Sequence, residues 1–119
     1  MLVVSNTSPL SNLAIVNQLD LLRLRYGRVI VPERVILELA ALTHAAGKQR
    51  INQAISDGWL TMQSLPNPTL STQFEQRVDP GEAEAIALAE LLPADKLIID
   101  DRIGRGREHG VSLLHVSRH

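Results

Sequence analysis

Four stretches of this chain set oxygen-bearing side chains beside apolar runs. Leu2-Val3-Val4-Ser5-Asn6 is a short apolar run that closes on an amide. Lys96-Leu97-Ile98-Ile99 leads into the paired acids Asp100 and Asp101. Asp79-Pro80-Gly81-Glu82-Ala83-Glu84-Ala85-Ile86 and Pro32-Glu33-Arg34-Val35-Ile36-Leu37-Glu38-Leu39 each embed acids in a helical pattern. Carboxylates brought to one place repel each other unless they share a cation. Mg²⁺ and Mn²⁺ prefer oxygen ligands. An ion held that way lowers the pKa of a bound water and stabilises an in-line phosphoryl displacement.

Each acid also has a plainer explanation. Asp100 or Asp101 can cap a helix beginning near Arg102, but two adjacent acids after an apolar strand need water, a cation or a metal. Asp79 and Glu82 form a capping-box pattern with Pro80 at the first helical position. Glu82 nevertheless shares a helical face with Ala85, Ile86 and Ala89, which would press on a sheet, whereas Glu84 lies about 200° further round the helix. Glu38 sits at the margin of the apolar face of Val35, Leu39 and Leu42, where a solvated role also fits. Glu33 is explained by the helix dipole.

The elements that must position these residues follow from periodicity and breakers. Leu2–Ser5 reads as a buried strand, with Ser8 and Pro9 as the N-cap and first position of a helix carrying Leu10, Leu13, Ala14 and Asn17 on one face. A short helix covers Gln18–Arg25 and stops at Gly27. Arg28–Val31 is a strand, and Pro32 opens a helix that Gly47 ends. Arg50–Ser56 reads as a helix, Trp59–Leu65 as a strand and Pro66-Asn67-Pro68 as a loop. Asp79–Leu92 is the clearest helix and Lys96–Asp100 the clearest strand. Arg102–His109 reads as a short helix and Ser112–Val116 as a last strand. Strands alternating with helices predict a mostly parallel sheet covered on both faces. Sites in such sheets lie at the C-terminal ends of the strands.

Composition narrows the alternatives. The chain has 119 residues, a size typical of one domain, and we read 1–119 as a single unit. It has no Cys, which excludes disulfides, thiolate metal sites and a Cys nucleophile. The net charge of −1 supplies no global attraction to nucleic acid, so any such binding rests on local clusters. With one Trp, one Tyr and one Phe it is poorly equipped to stack bases. No basic leader precedes Leu2-Val3-Val4, and no apolar run is long enough to span a membrane, so a cytoplasmic location is expected. No Walker loop, dinucleotide fingerprint, nucleophile elbow or zinc spacing is present. His44, His109, His115 and His119 show no ligand spacing.

Taken together, these segments resemble the PIN-like domain family of prokaryotic ribonucleases. Val3-Val4-Ser5-Asn6-Thr7-Ser8-Pro9-Leu10 is similar to the family's opening, and Ile30-Val31-Pro32 through Glu38-Leu39 to the segment with its second acid. Asp79 through Ala89 resembles its acidic, Ala-rich helix. Leu97-Ile98-Ile99-Asp100-Asp101-Arg102 with Gly104-Arg105 completes the pattern. The resemblance implies a three-layer α/β/α Rossmann-like fold with a mostly parallel central sheet. It further implies Mg²⁺- or Mn²⁺-dependent hydrolysis of RNA, often as a toxin beside a small antitoxin.

Carried over by position, the metal residues are Asn6, Glu38, Glu82 and Asp100, with Asp101 as a substitute for Asp100 and all five as catalytic candidates. Thr7, Arg102 and Arg105 are the expected substrate contacts. Arg107, Lys48, Arg50 and the group Arg23, Arg25 and Arg28 are further cations that could ring the site. Two departures stand out. Asn6 occupies the usual place of an Asp, and the chain stops at Ser117-Arg118-His119, where relatives run on into apolar sequence. Both leave room for a truncated or degenerate member. An impaired protein that binds RNA or an antitoxin without efficient cleavage is therefore the competing expectation. A phospho-acceptor receiver-like domain is disfavoured, since Lys96 is the only late Lys and precedes its strand. A partner is expected to cover exposed apolar surface, either as a homodimer or as an antitoxin complex.

Overall fold

The computed structural model describes residues 1–75, 78–101 and 110–115. Five strands form one sheet: β1 (Val3–Ser5), β2 (Val29–Val31), β3 (Leu60–Met62), β4 (Lys96–Asp101) and β5 (Gly110–His115), in the order β3-β2-β1-β4-β5. The first four are parallel and β5 returns antiparallel to β4. Among the described residues, five α-helices connect or cover them: α1 (Thr7–Ile15), α2 (Asp20–Tyr26), α3 (Glu33–Ala40), α4 (Ala45–Ser56) and α5 (Pro80–Leu91). The expected α/β fold with a mostly parallel sheet is the fold observed, and β1 is central, between β2 and β4.

The apolar strands are short and continuous because both sheet faces are covered. Val3, Val29, Val31 and Ile98 pack with Leu10 and Ala14 of α1, Leu22 of α2, Val35 and Leu39 of α3, and Ile51 and Ala54 of α4. Val4, Ile30 and Leu97 point the other way and pack with Ala85, Leu88 and Ala89 of α5. Strand alternation therefore sorts neighbouring residues into two clusters. Each fully buried Val, Leu or Ile contributes roughly 1.5–3 kcal/mol.

Several expected boundaries move. The N-cap of α1 is Asn6, not Ser8, and Pro9 is buried inside the first turn. Gly47 does not end a helix. It lies in the first turn of α4, its N–H donating to His44 Nδ1 at 2.9 Å, and α4 starts five residues earlier than Arg50. A Cβ at Gly47 would stand 3.3 Å from Ile15, so this glycine lets α1 and α4 approach closely. The β3 strand keeps only three residues of the apolar stretch after Trp59. The expected loop Pro66-Asn67-Pro68 leads into a 3-10 helix, Pro68–Phe74, started by Asn67, whose side chain accepts from Thr69 N. The final strand begins at Gly110. The expected helix Arg102–His109 falls outside the described residues. Gly27 stops α2 with φ at +79°, as its left-handed conformation requires.

Candidate metal centre at the C-terminal edge of the sheet

The register fixes which residues reach this edge. Ser5 pairs with Ile98, and Asn6 N donates to Ile98 O at 3.0 Å, so the end of β1 is tied to β4. From there β4 continues through Asp100 and Asp101, opposite Val111 and Gly110 of β5. The two acids thus belong to the strand itself. Of their side chains nothing is described, and Arg102, Arg105 and Arg107 lie outside the described residues.

Asn6 is 4% exposed, and its Oδ1 is buried without a hydrogen-bond donor among the described residues. It stands at the N-cap position yet makes no side-chain cap bond, so capping does not account for it. A buried acceptor left unpaired costs about 1–3 kcal/mol. An oxygen of this kind fits a hard cation, which an amide oxygen can ligate.

Helix α3 passes over the same edge. Val35 and Leu39 hold it to the sheet face that carries α1, while its adjacent row meets α5. Glu38 lies on that row and is half-buried. Its Oε1 accepts a hydrogen bond from Thr7 Oγ1, at the start of α1. Thr7, an expected substrate contact, is half-buried and donates its hydroxyl to Glu38. On the other side Glu38 fills the space over Gly81, in the first turn of α5: a Cβ at Gly81 would lie 3.0 Å from the carboxylate carbon and collide with Oε1. The carboxylate is thus wedged between the N-terminal turns of α1 and α5. A solvated helix residue would show neither contact.

Glu82 follows Gly81 and is half-buried. The Asp79 half of the capping box is present, with Oδ1 accepting from Glu82 N at 2.8 Å. The expected small-residue face of α5 holds at Ala85 and Ala89, but burial extends to Ala83 and Ala87, because the 3-10 helix covers that flank. Glu84 is engaged elsewhere: Oε1 accepts from Arg34 N at 3.2 Å, and Oε2 lies 3.8 Å from Arg34 Nε. Glu33 is exposed. Among the described residues no three His, Asp or Glu side chains form a metal-holding group. Of the expected metal residues, Asn6 and Glu38 are placed at this edge by their side chains, Glu82 by its position in the first turn of α5, and Asp100 by its backbone.

The arginines expected to ring the acids are mostly elsewhere. Arg23 and Arg25 lie on α2, which ends just before β2, and Arg28 immediately precedes β2. All three are thus at the N-terminal edge of the sheet, opposite the acids. Arg23 pairs with Asp20 at 2.9 Å, and Arg25 lies over the Tyr26 ring. Arg50 Nη1 donates to Ala14 O at 2.8 Å, near the C-terminal end of α1. Sequence spacing could not assign these cations to an edge, because the edge depends on where each helix turns back. The residue that spacing missed is Gly81. A glycine in the first turn of an otherwise Ala-rich helix is a detectable signal of close approach.

The Thr7–Glu38 bond gives a first test. Thr7→Val keeps the shape and removes the donor. It is expected to cost about 1–2 kcal/mol, in the range for hydrogen bonds to charged groups at a half-buried site. Urea unfolding in EDTA measures it. A midpoint equal to wild type would show that the bond contributes nothing.

A family model described as PIN domain matches residues 2–112. No curated protein and no solved structure gives a significant match to the chain. No described helix is long and apolar enough to cross a membrane.

Proposed function

The chain belongs to the PIN-domain family, a nuclease fold, and on that premise we propose that it is a Mg²⁺- or Mn²⁺-dependent endoribonuclease. The observation that carries this reading is the buried Oδ1 of Asn6, which has no donor among the described residues, at the strand edge where Glu38 is held. Asn6, Glu38, Glu82 and Asp100 would hold the ion, with Asp101 as the substitute for Asp100. The bound ion supplies Lewis acidity toward water and phosphoryl oxygens. The protein's own part is positional. Thr7 fixes the Glu38 carboxylate, Gly81 leaves it room, and the β1–β4 register keeps Asn6 beside the strand of Asp100. Arg102 and Arg105 are retained as candidate RNA contacts. The cellular role that fits is a toxin restrained by a small antitoxin, and a homodimer is the expected assembly in the antitoxin's absence.

The direct experiment is incubation of the purified protein with single-stranded RNA. Degradation in Mn²⁺ that EDTA abolishes supports the reading, and intact RNA in both overturns it in favour of an impaired, binding-only protein. Asn6 in the place of an Asp is what supports that second reading, since an amide brings the metal no charge.

Two further outcomes are expected. Mn²⁺ at about 100 times its dissociation constant should stabilise the fold by about 2.7 kcal/mol. A melting temperature unmoved by millimolar Mn²⁺ would count against a metal site. Glu82→Gln should weaken Mn²⁺ binding more than Glu84→Gln, because Glu82 follows Gly81, where the Glu38 carboxylate is seated, whereas Glu84 faces Arg34. Gln can still serve a capping box, so loss of charge is the variable that changes. Equal titrations for the two variants would remove Glu82 from the site.

A further inference from the structure

Helices α3 and α5 meet at two points one turn apart. Arg34 and Glu38 are four residues apart on α3 and share a face, as do Gly81 and Glu84, three apart on α5. Arg34 meets Glu84, and Glu38 meets Gly81, so the pairing is antiparallel. It fixes Arg34 about 6 Å along the helix from Glu38, at the acidic edge.

Glu84 holds Arg34 from one side. It takes the backbone N–H, which Pro32 at the N-cap cannot bond, and faces Nε. The outer edge of the guanidinium, its two Nη groups, makes no hydrogen bond to the described residues. The side chain is 46% exposed. Arg23, Arg25, Arg28 and Arg50, by contrast, are at the other edge or already engaged. The carboxylates of this edge repel a polyanion, and an arginine one turn away with a free fork is suited to a phosphate.

We propose that Arg34 is a substrate-binding residue that contacts a backbone phosphate of single-stranded RNA beside Glu38. The proposal rests on the nuclease reading above. The contact is electrostatic, so it has a signature that a structural residue lacks. Each phosphate contact with a single strand contributes about 0.7 to the slope of log affinity against log salt.

The test is fluorescence anisotropy of a short labelled single-stranded RNA, titrated at several salt concentrations with Ca²⁺ in place of Mn²⁺. Arg34→Gln is expected to lower the slope by about 0.7 and weaken binding roughly fivefold at 0.1 M salt. Arg34→Lys should keep the slope, because it keeps the charge. Arg28→Gln, at the opposite edge, should change neither. Thermal melts must show the wild-type Mn²⁺ shift for Arg34→Gln. If wild type binds RNA and Arg34→Gln keeps its slope, the assignment of Arg34 falls and the nuclease reading stands. If the Mn²⁺ shift is lost, Arg34 acts by placing Glu38, and the proposal is wrong. If wild type binds no RNA, the nuclease reading falls and this one with it.

Discussion

Asn6→Asp is expected to shift stability in opposite directions with and without metal. In EDTA the new carboxylate occupies a 4% exposed position where Oδ1 has no donor among the described residues, one residue before Thr7, which holds Glu38. Burial and like-charge neighbours both disfavour its ionised form. A loss of about 2 kcal/mol or more is expected, in the range for a buried polar group left without partners. With Mn²⁺ present the same carboxylate is a charged ligand. Metal affinity should rise about tenfold or more, which is about 1.4 kcal/mol, and RNA cleavage should rise with it. A capping role predicts a different pattern. Asp at an N-cap beside the helix dipole would stabilise α1 in both conditions. Paired thermal melts of the two proteins in EDTA and in Mn²⁺ decide the matter. Shifts of the same sign and size in both would place Asn6 outside the metal centre.

Gly81→Ala should separate stability from activity. Alanine favours a helix over glycine by up to about 1 kcal/mol. At this position the added methyl meets the Glu38 carboxylate, which is the end of a flexible side chain and will move before the helix does. Its bond from Thr7 is then lost. The two effects oppose each other, so unfolding in EDTA should stay within about 1 kcal/mol of wild type. Displacing a positioned group by about 1 Å can cost on the order of 100-fold in rate, and a loss of that size in RNA cleavage is expected. Mn²⁺ should also lose most of its stabilising effect. A variant that keeps both cleavage and the Mn²⁺ shift would show that the place of Glu38 against α5 is irrelevant to function.

Much of this molecule is decided by local pattern. The apolar runs at Val3-Val4, Val29-Ile30-Val31 and Leu97-Ile98-Ile99, short, rich in β-branched residues and followed by polar residues or Pro, fit strands covered on both faces. With helices between them, the parallel order follows from chain connectivity. That reasoning puts Asn6, Asp100 and the starts of α1, α3 and α5 at one edge of the sheet. Spacing could also set Glu82 and Glu84 on different faces of α5, and Glu84 is found facing Arg34 of α3.

What spacing could not settle was contact across elements. Glu38 sits at the margin of an amphipathic face, where a solvated acid and a held one have the same pattern. The distinction is made by Thr7, 31 residues earlier, and by a glycine 43 residues later. Asn6 has the sequence of an N-cap, and only packing shows that its oxygen caps nothing. The arginines around α2 and β2 carry a charge that composition registers, but the direction in which α2 returns to the sheet sends them to the far edge. Element type and order are set by short-range periodicity, which a sequence contains in full. The partner of a polar side chain depends on how helices cross, a property of three-dimensional packing that no one-dimensional spacing encodes.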